Sequence, residues 1–248
     1  MKIIISPAKK MNVDTDIFTC QAMPVFLERT KELAEYIKSL SYEEAKKLWG
    51  CNDKIATQNF ERFAEMDLEK NLTPAILSYE GIQYQYMSPL VFSEEALSYV
   101  QDHLRILSGF YGIVKPFDGV VPYRLEMQAK ASVGGFKDLY AYWGSSLYEE
   151  LTSDGDTIIL NLASKEYSKC IEKYLKPTDQ YITCIFGEEI NGKVVQKGTF
   201  AKMARGEMVR YLAEHHIENL EDVKKFCGLE HTYSEKCSTE TEYVFLRK

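Results

Sequence analysis

The sequence lacks the short motifs by which common nucleotide-binding and hydrolytic enzymes are recognised. It contains no GxGxxG fingerprint, no GxxxxGKS/T phosphate loop and no GxSxG nucleophile elbow. Its six cysteines form no CxxC pair, and its four histidines do not stand at the spacing of metal ligands. These patterns therefore predict no cofactor, no metal site and no catalytic residue.

Long apolar runs are also missing. No window reaches the roughly 18 apolar residues of a membrane-spanning helix, and the apolar run in the N-terminal MKIIISPAKK is too short for a signal peptide. We therefore expect a cytoplasmic protein with reduced thiols and no membrane partner. The net charge is −7, so a surface for nucleic acid would have to be a local basic patch.

No repeat, low-complexity run or long linker divides the chain, so its 248 residues predict one domain, 1–248. Buried strands are predicted over Lys2–Ser6 and Thr157–Leu162. Other strands are predicted over 73–79, 180–190, 193–197, 232–237 and 242–247, and helices over 25–39, 41–49, 53–66, 93–109, 137–151, 164–175, 199–216 and 220–226. This mixture without a strict βαβ rhythm favours an α+β fold, with a mixed sheet and surrounding helices.

Polar residues follow the two predicted buried strands. Lys9 stands just after the first strand, and Asn161 and Lys165 stand at the end of the second. Ligands commonly bind at the carboxyl ends of strands in α/β sheets. These residues are therefore candidates for a binding site, and ordinary solvated turns are the alternative.

The stretch His103–Met127 is predicted to hold the main binding element. A helix that ends at Ser108 and Gly109, with Gly112 close behind, would form a hairpin with exposed backbone N–H groups. The order helix–LSGFYG resembles the helix-hairpin-helix motif, in which Ser108 would replace the usual proline. Such N–H groups can hold a phosphate together with neighbouring basic side chains, here Arg105, Lys115 and Arg124. The alternative is a plain Schellman-type helix end.

Two basic islands interrupt the acidic chain. Residues 103–137 contain five basic and two acidic side chains, and residues 197–210 contain four basic and one acidic. In the second island Lys202, Arg205 and Arg210 share one face of the predicted helix. Together the islands could form one electropositive cleft, or the second could be the solvated face of an ordinary amphipathic helix.

Seven sequence blocks follow one another along nearly the whole chain. They are ISPAK (Ile5–Lys9), HLRILSGFYG (His103–Gly112), KPFD (Lys115–Asp118), PYRLEM (Pro122–Met127), KDLYAYWG (Lys137–Gly144), NLAS-x-EY (Asn161–Tyr167) and FAKMARGEMVR (Phe200–Arg210). In this order they resemble the YaaA family of peroxide stress resistance proteins.

The resemblance implies a single α+β domain with a positively charged cleft and a DNA-binding helix-hairpin-helix element. It implies protection during hydrogen peroxide stress, by limiting free iron and so the damage to DNA and protein. It places the DNA-contacting hairpin on Arg105–Lys115. It also suggests that Lys9, Arg124, Lys202 and Arg205 line the cleft.

Two hypotheses of function follow. In the first, the protein binds double- or single-stranded DNA with low sequence specificity. The candidate DNA-binding residues are Arg105, Ser108, Gly109, Gly112, Lys115, Arg124, Lys9, Lys202, Arg205 and Arg210. In the second, the cleft is the active site of an enzyme for a small phosphorylated or nucleotide-like substrate. It is motivated by a polar set that non-specific DNA binding does not require: Ser6, Tyr123, Glu126, Asn161 and Lys165. Direct iron binding ranks last because the Cys and His residues are scattered.

Overall fold

A computed structural model describes residues 1–248. The strands are β1 (Lys2–Ile5), β2 (Lys10–Met11), β3 (Thr73–Pro74), β4 (Tyr79–Glu80), β5 (Leu104–Ser108), β6 (Gly112–Val114), β7 (Gly119–Val120), β8 (Ile158–Leu162), β9 (Gln180–Ile190), β10 (Lys193–Val195), β11 (Cys227–Gly228), β12 (His231–Tyr233) and β13 (Glu242–Arg247). The α-helices are α1 (Leu27–Lys38), α2 (Tyr42–Trp49), α3 (Asp53–Ala64), α4 (Ala75–Ser78), α5 (Ile82–Met87), α6 (Glu94–His103), α7 (Leu139–Trp143), α8 (Ser146–Leu151), α9 (Lys165–Glu172), α10 (Gly198–Glu214) and α11 (Leu220–Val223). Short 3-10 helices cover Pro89–Val91 and Glu235–Cys237.

A nine-stranded sheet forms the centre of the fold. Its order is β11-β12-β13-β9-β8-β1-β5-β6, and β10 pairs with β9 beside this path. The five middle strands, from β13 to β5, run parallel to one another. The outer pairs β11–β12, β12–β13 and β5–β6 are antiparallel. The predicted α+β fold with a mixed sheet and surrounding helices is therefore confirmed.

Strand β1 lies between β5 and β8 in the middle of the sheet. All residues of β1 and β5 are buried, which explains their continuous apolar sequences. In the parallel register Ile5 pairs with Leu162, the last residue of β8. The segments that follow β1 and β8 therefore leave the sheet side by side.

Local sequence signals place the starts of several helices correctly. Ser41 and Glu44 form a capping box at the start of α2. The Asn52 side chain accepts a hydrogen bond from the backbone N–H of Ile55 in α3, and Ser93 accepts one from Ala96 in α6. Each cap satisfies an N–H group that the first helical turn leaves unpaired.

The predicted helix from Ser93 to Gly109 is wrong in its second half. Helix α6 ends at His103, and Leu104–Ser108 form the buried strand β5. Strand β6 pairs antiparallel with β5 from Gly112 onward, so this segment is a β-hairpin and not a helix-hairpin-helix element. The apolar residues of LRILS fit a helical stripe as well as a buried strand, and periodicity alone does not separate the two in so short a run.

Two other predicted elements are divided. The strand expected over 73–79 consists of two-residue strands on either side of the single helical turn α4. The helix expected over 137–151 is broken between α7 and α8 at Gly144, which has a φ of 56°. The predicted strands 180–190 and 193–197 are present as β9 and β10, which pair antiparallel across the Asn191-Gly192 turn.

One hydrophobic cluster extends from Met1 to Phe245 and includes residues of the sheet and of most helices. The structure contains no helix that is both long and apolar enough to cross a membrane.

Candidate functional site

The main cleft lies at the carboxyl ends of β1 and β8. It has a volume of about 440 Å³. Five segments form it: the loop after β1, the turn from β4 into α5, the strand-free segment around Arg124, the start of α9 and one face of α10. Its lining residues are Ser6, Pro7, Ala8, Lys9, Lys10, Glu80, Gly81, Ile82, Gln83, Tyr84, Tyr123, Arg124, Leu125, Glu126, Ser164, Glu166, Tyr167, Lys202 and Arg205.

A second cavity of about 780 Å³ adjoins the main cleft. The two share Lys9, Arg124 and Glu126 as lining residues, so they meet at these side chains. The far side of the second cavity is formed by α1 and α2 and includes Lys47 and Gly50. The two adjoining cavities, called the joined cavities below, together extend from α10 to α2.

Gly109 positions the segment that carries Arg124 and Glu126. A Cβ atom at Gly109 would lie 2.5 Å from the carbonyl oxygen of Leu125 and 2.9 Å from the backbone nitrogen of Met127. Only glycine permits this approach, because the atoms in the way belong to the backbone. Gly109 therefore packs against the backbone of residues 125–127 and does not itself line the cleft.

Tyr123 anchors the same segment by hydrogen bonds in the core. Its hydroxyl lies 2.9 Å from the hydroxyl of Tyr79 and 2.6 Å from Oγ of Ser108. Ser108 Oγ also accepts hydrogen bonds from the backbone N–H groups of Phe110 and Tyr111. Burial raises the pKa of Tyr123 to about 12, so the phenol stays neutral.

Gly206 brings α10 directly against α5. A Cβ atom at this position would lie 2.1 Å from the carbonyl oxygen of Gln83 and 2.9 Å from the nitrogen of Met87. Arg205 precedes this contact and Gln83 forms its other side, and both side chains line the cleft. The helix packing thus determines which side chains meet there.

Five basic and three acidic side chains line the main cleft. The basic ones are Lys9, Lys10, Arg124, Lys202 and Arg205, and the acidic ones are Glu80, Glu126 and Glu166. Glu126 Oε1 accepts from Lys9 Nζ and Arg124 Nη2, both at 3.0 Å, and Lys10 pairs with Glu80. Lys202 and Arg205 form no ion pair and no hydrogen bond through their side chains within the chain.

Among the acidic and basic side chains of the cleft, burial shifts the pKa of Arg205 and of Glu166. It lowers the pKa of Arg205, because desolvation disfavours the charged guanidinium. It raises the pKa of Glu166, and the nearby charge of Glu126 adds to this effect. A protonated Glu166 could donate a hydrogen bond to a ligand, whereas the ionised form could accept one.

The structure brings together seven of the predicted site residues. They are Ser6, Lys9, Tyr123, Arg124, Glu126, Lys202 and Arg205. Ser6 also joins the two strand ends, since its Oγ accepts from the Ser164 N–H at 2.8 Å. The prediction that Lys9, Arg124, Lys202 and Arg205 lie around one cleft agrees with this placement.

The hairpin residues lie elsewhere. Ser108, Gly109 and Gly112 are buried, so this hairpin offers no exposed row of N–H groups. Arg105 is 7% exposed and donates to the carbonyl oxygens of Gln101 and Leu104. The expectation that this hairpin cradles a phosphate is therefore wrong. The turn is buried in the core, where Ser108 Oγ accepts hydrogen bonds from the backbone N–H groups of Phe110 and Tyr111.

Four further candidates also lie outside the main cleft. Asn161 is buried within β8, where its Nδ2 donates to Thr183 Oγ1. The other three are exposed or half-buried on the surface. Lys165 pairs with Glu172 and Arg210 pairs with Glu214, while Lys115 lies next to Asp118.

Several lining residues were not predicted, notably Gln83, Tyr84, Ser164, Glu166 and Tyr167. Three of them follow β8 in the NLAS-x-EY block, where the sequence indicated a strand-to-helix junction. That signal located the junction but did not show which side chain would line the cleft. Lys165 was expected there, and Glu166 lines it instead. Gln83 and Tyr84 carried no signal beyond an aromatic-rich segment.

Fold and cleft together define an α+β protein with a polar, Arg- and Lys-containing cleft at the carboxyl ends of two parallel strands. A family model described as peroxide stress protein YaaA matches residues 1–237. A UPF0246 protein of Lachnoclostridium phytofermentans is 58% identical over 247 residues, covering 100% of this chain and 96% of the relative. A UPF0246 protein of Agathobacter rectalis is 58% identical over 248 residues, covering 100% of this chain and 99% of the relative. The chain belongs to the YaaA family of peroxide stress proteins.

Proposed function

We propose that this cytoplasmic protein acts in peroxide stress by binding DNA along the joined cavities, and that it thereby helps to limit free iron and oxidative damage. The observation that carries the proposal is the charge of the lining. Seven basic side chains line the two cavities: Lys9, Lys10, Lys47, Arg124, Lys130, Lys202 and Arg205. Four carboxylates accompany them, Glu44, Glu80, Glu126 and Glu166, in a chain of net charge −7. This excess of basic groups favours a polyanion.

A second observation supports DNA at the outer cavity. Helices α2 and α3 are joined by only Gly50, Cys51 and Asn52, and Gly50 ends α2 with a φ of 55°. Gly50 and Lys47 line the second cavity. The connector is solvent-accessible, and the first N–H groups of α3 have no partner within the helix. We propose that this helix pair, rather than the hairpin after β5, is the helix-hairpin-helix element that contacts phosphates.

Nearby acidic groups determine how the connector can work. Asp53 at the start of α3 pairs with Lys46 at 2.6 Å, which offsets its repulsion of a phosphate. Contacts of this kind are made to the DNA backbone and do not distinguish one base sequence from another. The protein should therefore bind many sequences with similar affinity, and binding should weaken steeply as salt rises.

Titration of single-stranded, double-stranded and bubble-containing DNA at several salt concentrations tests the proposal. Arg124→Ala and Lys202→Ala should each weaken binding and reduce its salt dependence. Lys38→Ala removes an exposed lysine on the outer part of α1 and is the control. No binding at low salt, or equal binding by all variants, would show that the cleft does not hold DNA. Survival and free iron in peroxide-treated cells carrying the same variants test the link to iron.

A second candidate is an enzyme for a small phosphorylated or nucleotide-like substrate in the main cleft. The observation that favours it is Glu166, whose pKa is raised at the wall of a cavity of small-ligand size. A group of this kind can act as a general acid or base. Incubation with nucleotides and phosphorylated metabolites, followed by product analysis, should then show turnover that Glu166→Gln abolishes. Unchanged substrates across that set would exclude this candidate.

A further inference from the structure

Three buried nitrogen donors in the main cleft have no hydrogen-bond partner. They are Nε2 of Gln83 and the Nε atoms of Arg124 and Arg205. The chain has only five buried side-chain polar atoms without a partner, so this cavity holds most of them. A buried donor without a partner destabilises the folded protein, which favours a ligand that supplies acceptors. All three are donors, so the missing group is an acceptor.

The charges of the cleft indicate what kind of acceptor group would bind there. Lys202 and Arg205, one helical turn apart on α10, have no carboxylate partner, whereas Arg124 is paired with Glu126. The cleft therefore contains two positive charges without counter-ions. A phosphate monoester carries close to two negative charges at neutral pH, because its second pKa is about 6. An internal phosphodiester of DNA carries only one.

Gln83 shows that the site is built into the fold. Its side chain is 7% exposed, and its backbone carbonyl lies against Gly206 on α10. Gln83 is thus held beside Arg205 by the contact between α5 and α10. A planar guanidinium next to an amide N–H₂ group suits the several oxygen atoms of one phosphate.

We propose that the inner part of the main cleft, formed by Gln83, Arg124, Lys202 and Arg205, selects a terminal phosphate monoester over an internal phosphodiester. The inference concerns the same cleft as the proposed function and refines it. Two sources supply this chemistry: the phosphorylated end of a nucleic acid strand and a free phosphorylated small molecule such as a nucleoside monophosphate.

The experiment compares a 5′-phosphorylated oligonucleotide with the same oligonucleotide ending in a 5′-hydroxyl, by fluorescence anisotropy at one salt concentration. A 3′-phosphorylated oligonucleotide, a nucleoside monophosphate and inorganic phosphate are tested as competitors. We expect the wild-type protein to prefer phosphorylated ends by at least tenfold. Competition by the nucleoside monophosphate at concentrations similar to the oligonucleotide would identify the free small molecule as the source.

Variants separate the terminal-phosphate site from DNA binding in general. Arg205→Gln should reduce the preference to about onefold, and Lys202→Gln, at an exposed position, should reduce it several-fold without affecting folding. The matched control is Arg247→Gln, which removes a guanidinium of β13 that lines neither cavity. Its preference should equal that of the wild type.

The outcomes distinguish the two proposals. Equal wild-type affinity for the phosphorylated and hydroxyl-ended strands overturns this inference and leaves DNA binding intact. Binding of the nucleoside monophosphate without binding of any oligonucleotide supports the inference and removes the DNA function. A preference that survives in both Arg205→Gln and Lys202→Gln assigns the selectivity to other residues and also overturns the inference.

Discussion

The backbone carbonyl group of Gln83 in α5 lies so close to Gly206 of α10 that the two helices meet without a side chain between them. This contact places Arg205 at the cleft. Alanine normally stabilises a helix interior by about 1 kcal/mol relative to glycine. Here the added Cβ would stand 2.1 Å from a backbone oxygen, and the helices would have to move apart.

We therefore expect Gly206→Ala to destabilise the protein by about 1–3 kcal/mol, the usual cost of overpacking. Urea denaturation measures the change. Gly198→Ala, at the start of the same helix, is the control, because a Cβ there meets nothing within 4 Å. A Gly206→Ala protein as stable as the control would mean that α5 and α10 are free to separate.

The connector between α2 and α3 offers a test of its backbone N–H groups. Asp53→Pro removes the backbone N–H of the first residue of α3, and proline is accepted at the first position of a helix. Asn52 has φ −73° and ψ 166°, a conformation that suits the residue before proline. Asp53→Ala removes the same carboxylate but keeps the N–H.

We expect Asp53→Pro to bind DNA more weakly than Asp53→Ala, by a factor of about 10–100, the loss of one hydrogen bond to a charged group. Both are compared by anisotropy after circular dichroism has shown equal helix content. Equal affinities of Asp53→Pro and Asp53→Ala would show that the backbone N–H of residue 53 does not contact DNA.

Asp118 gives the stability of the protein a predictable dependence on pH. Burial raises its pKa to about 6, above its usual value of 3.8. The folded state therefore binds a proton more tightly than the unfolded state, so the contribution of this group to stability is complete below pH 4 and is lost as pH rises through 6.

Asp118→Asn cannot lose a proton, and its side-chain oxygen can still accept from the Lys115 N–H. The free energy of unfolding of the wild type, relative to Asp118→Asn, should thus fall by at most about 3 kcal/mol between pH 4 and pH 7. Chemical denaturation at four or five pH values measures it. Asp16→Asn, at an exposed position, should show no such trend, and parallel curves for Asp118→Asn and wild type would contradict the expectation.

Tyr123 connects the wall of the cleft to the core. Tyr123→Phe leaves the buried hydroxyls of Tyr79 and Ser108 without their shared partner. We expect a loss of about 1–3 kcal/mol of stability. Tyr36→Phe, on the half-exposed face of α1, should cost little. Equal thermal unfolding of the two variants would show that the hydroxyl chain contributes nothing to stability.

Local signals in the sequence determine much of this fold. The caps at Ser41 and Ser93 and the Asn191-Gly192 turn depend on residues a few positions apart, and the starts of the helices and the two strands that they define were predicted. Strand β5 was predicted as helix because the strands that pair with its two edges, β1 and β6, are distant or later in the chain. No local pattern contains that information.

The cleft was predictable in its charges and less so in its other members. Lys9, Arg124, Lys202 and Arg205 were identified as basic residues in matching sequence blocks, and the structure places them around one cavity. Gln83 has no charge and no motif, and its role depends on the close approach of α10 at Gly206. A tertiary contact of this kind cannot be recognised from the amino-acid composition or from the spacing of residues along the chain.

The position of β1 in the middle of the sheet has a consequence for synthesis of the protein. Its neighbours are β5 and β8, and the amino group of Met1 pairs with Asp156 at 2.8 Å. During synthesis β1 must therefore wait until both β5 and β8 have been made before its two edges are covered. Until then an Ile-rich segment with two open edges is a target for chaperones or a starting point for aggregation.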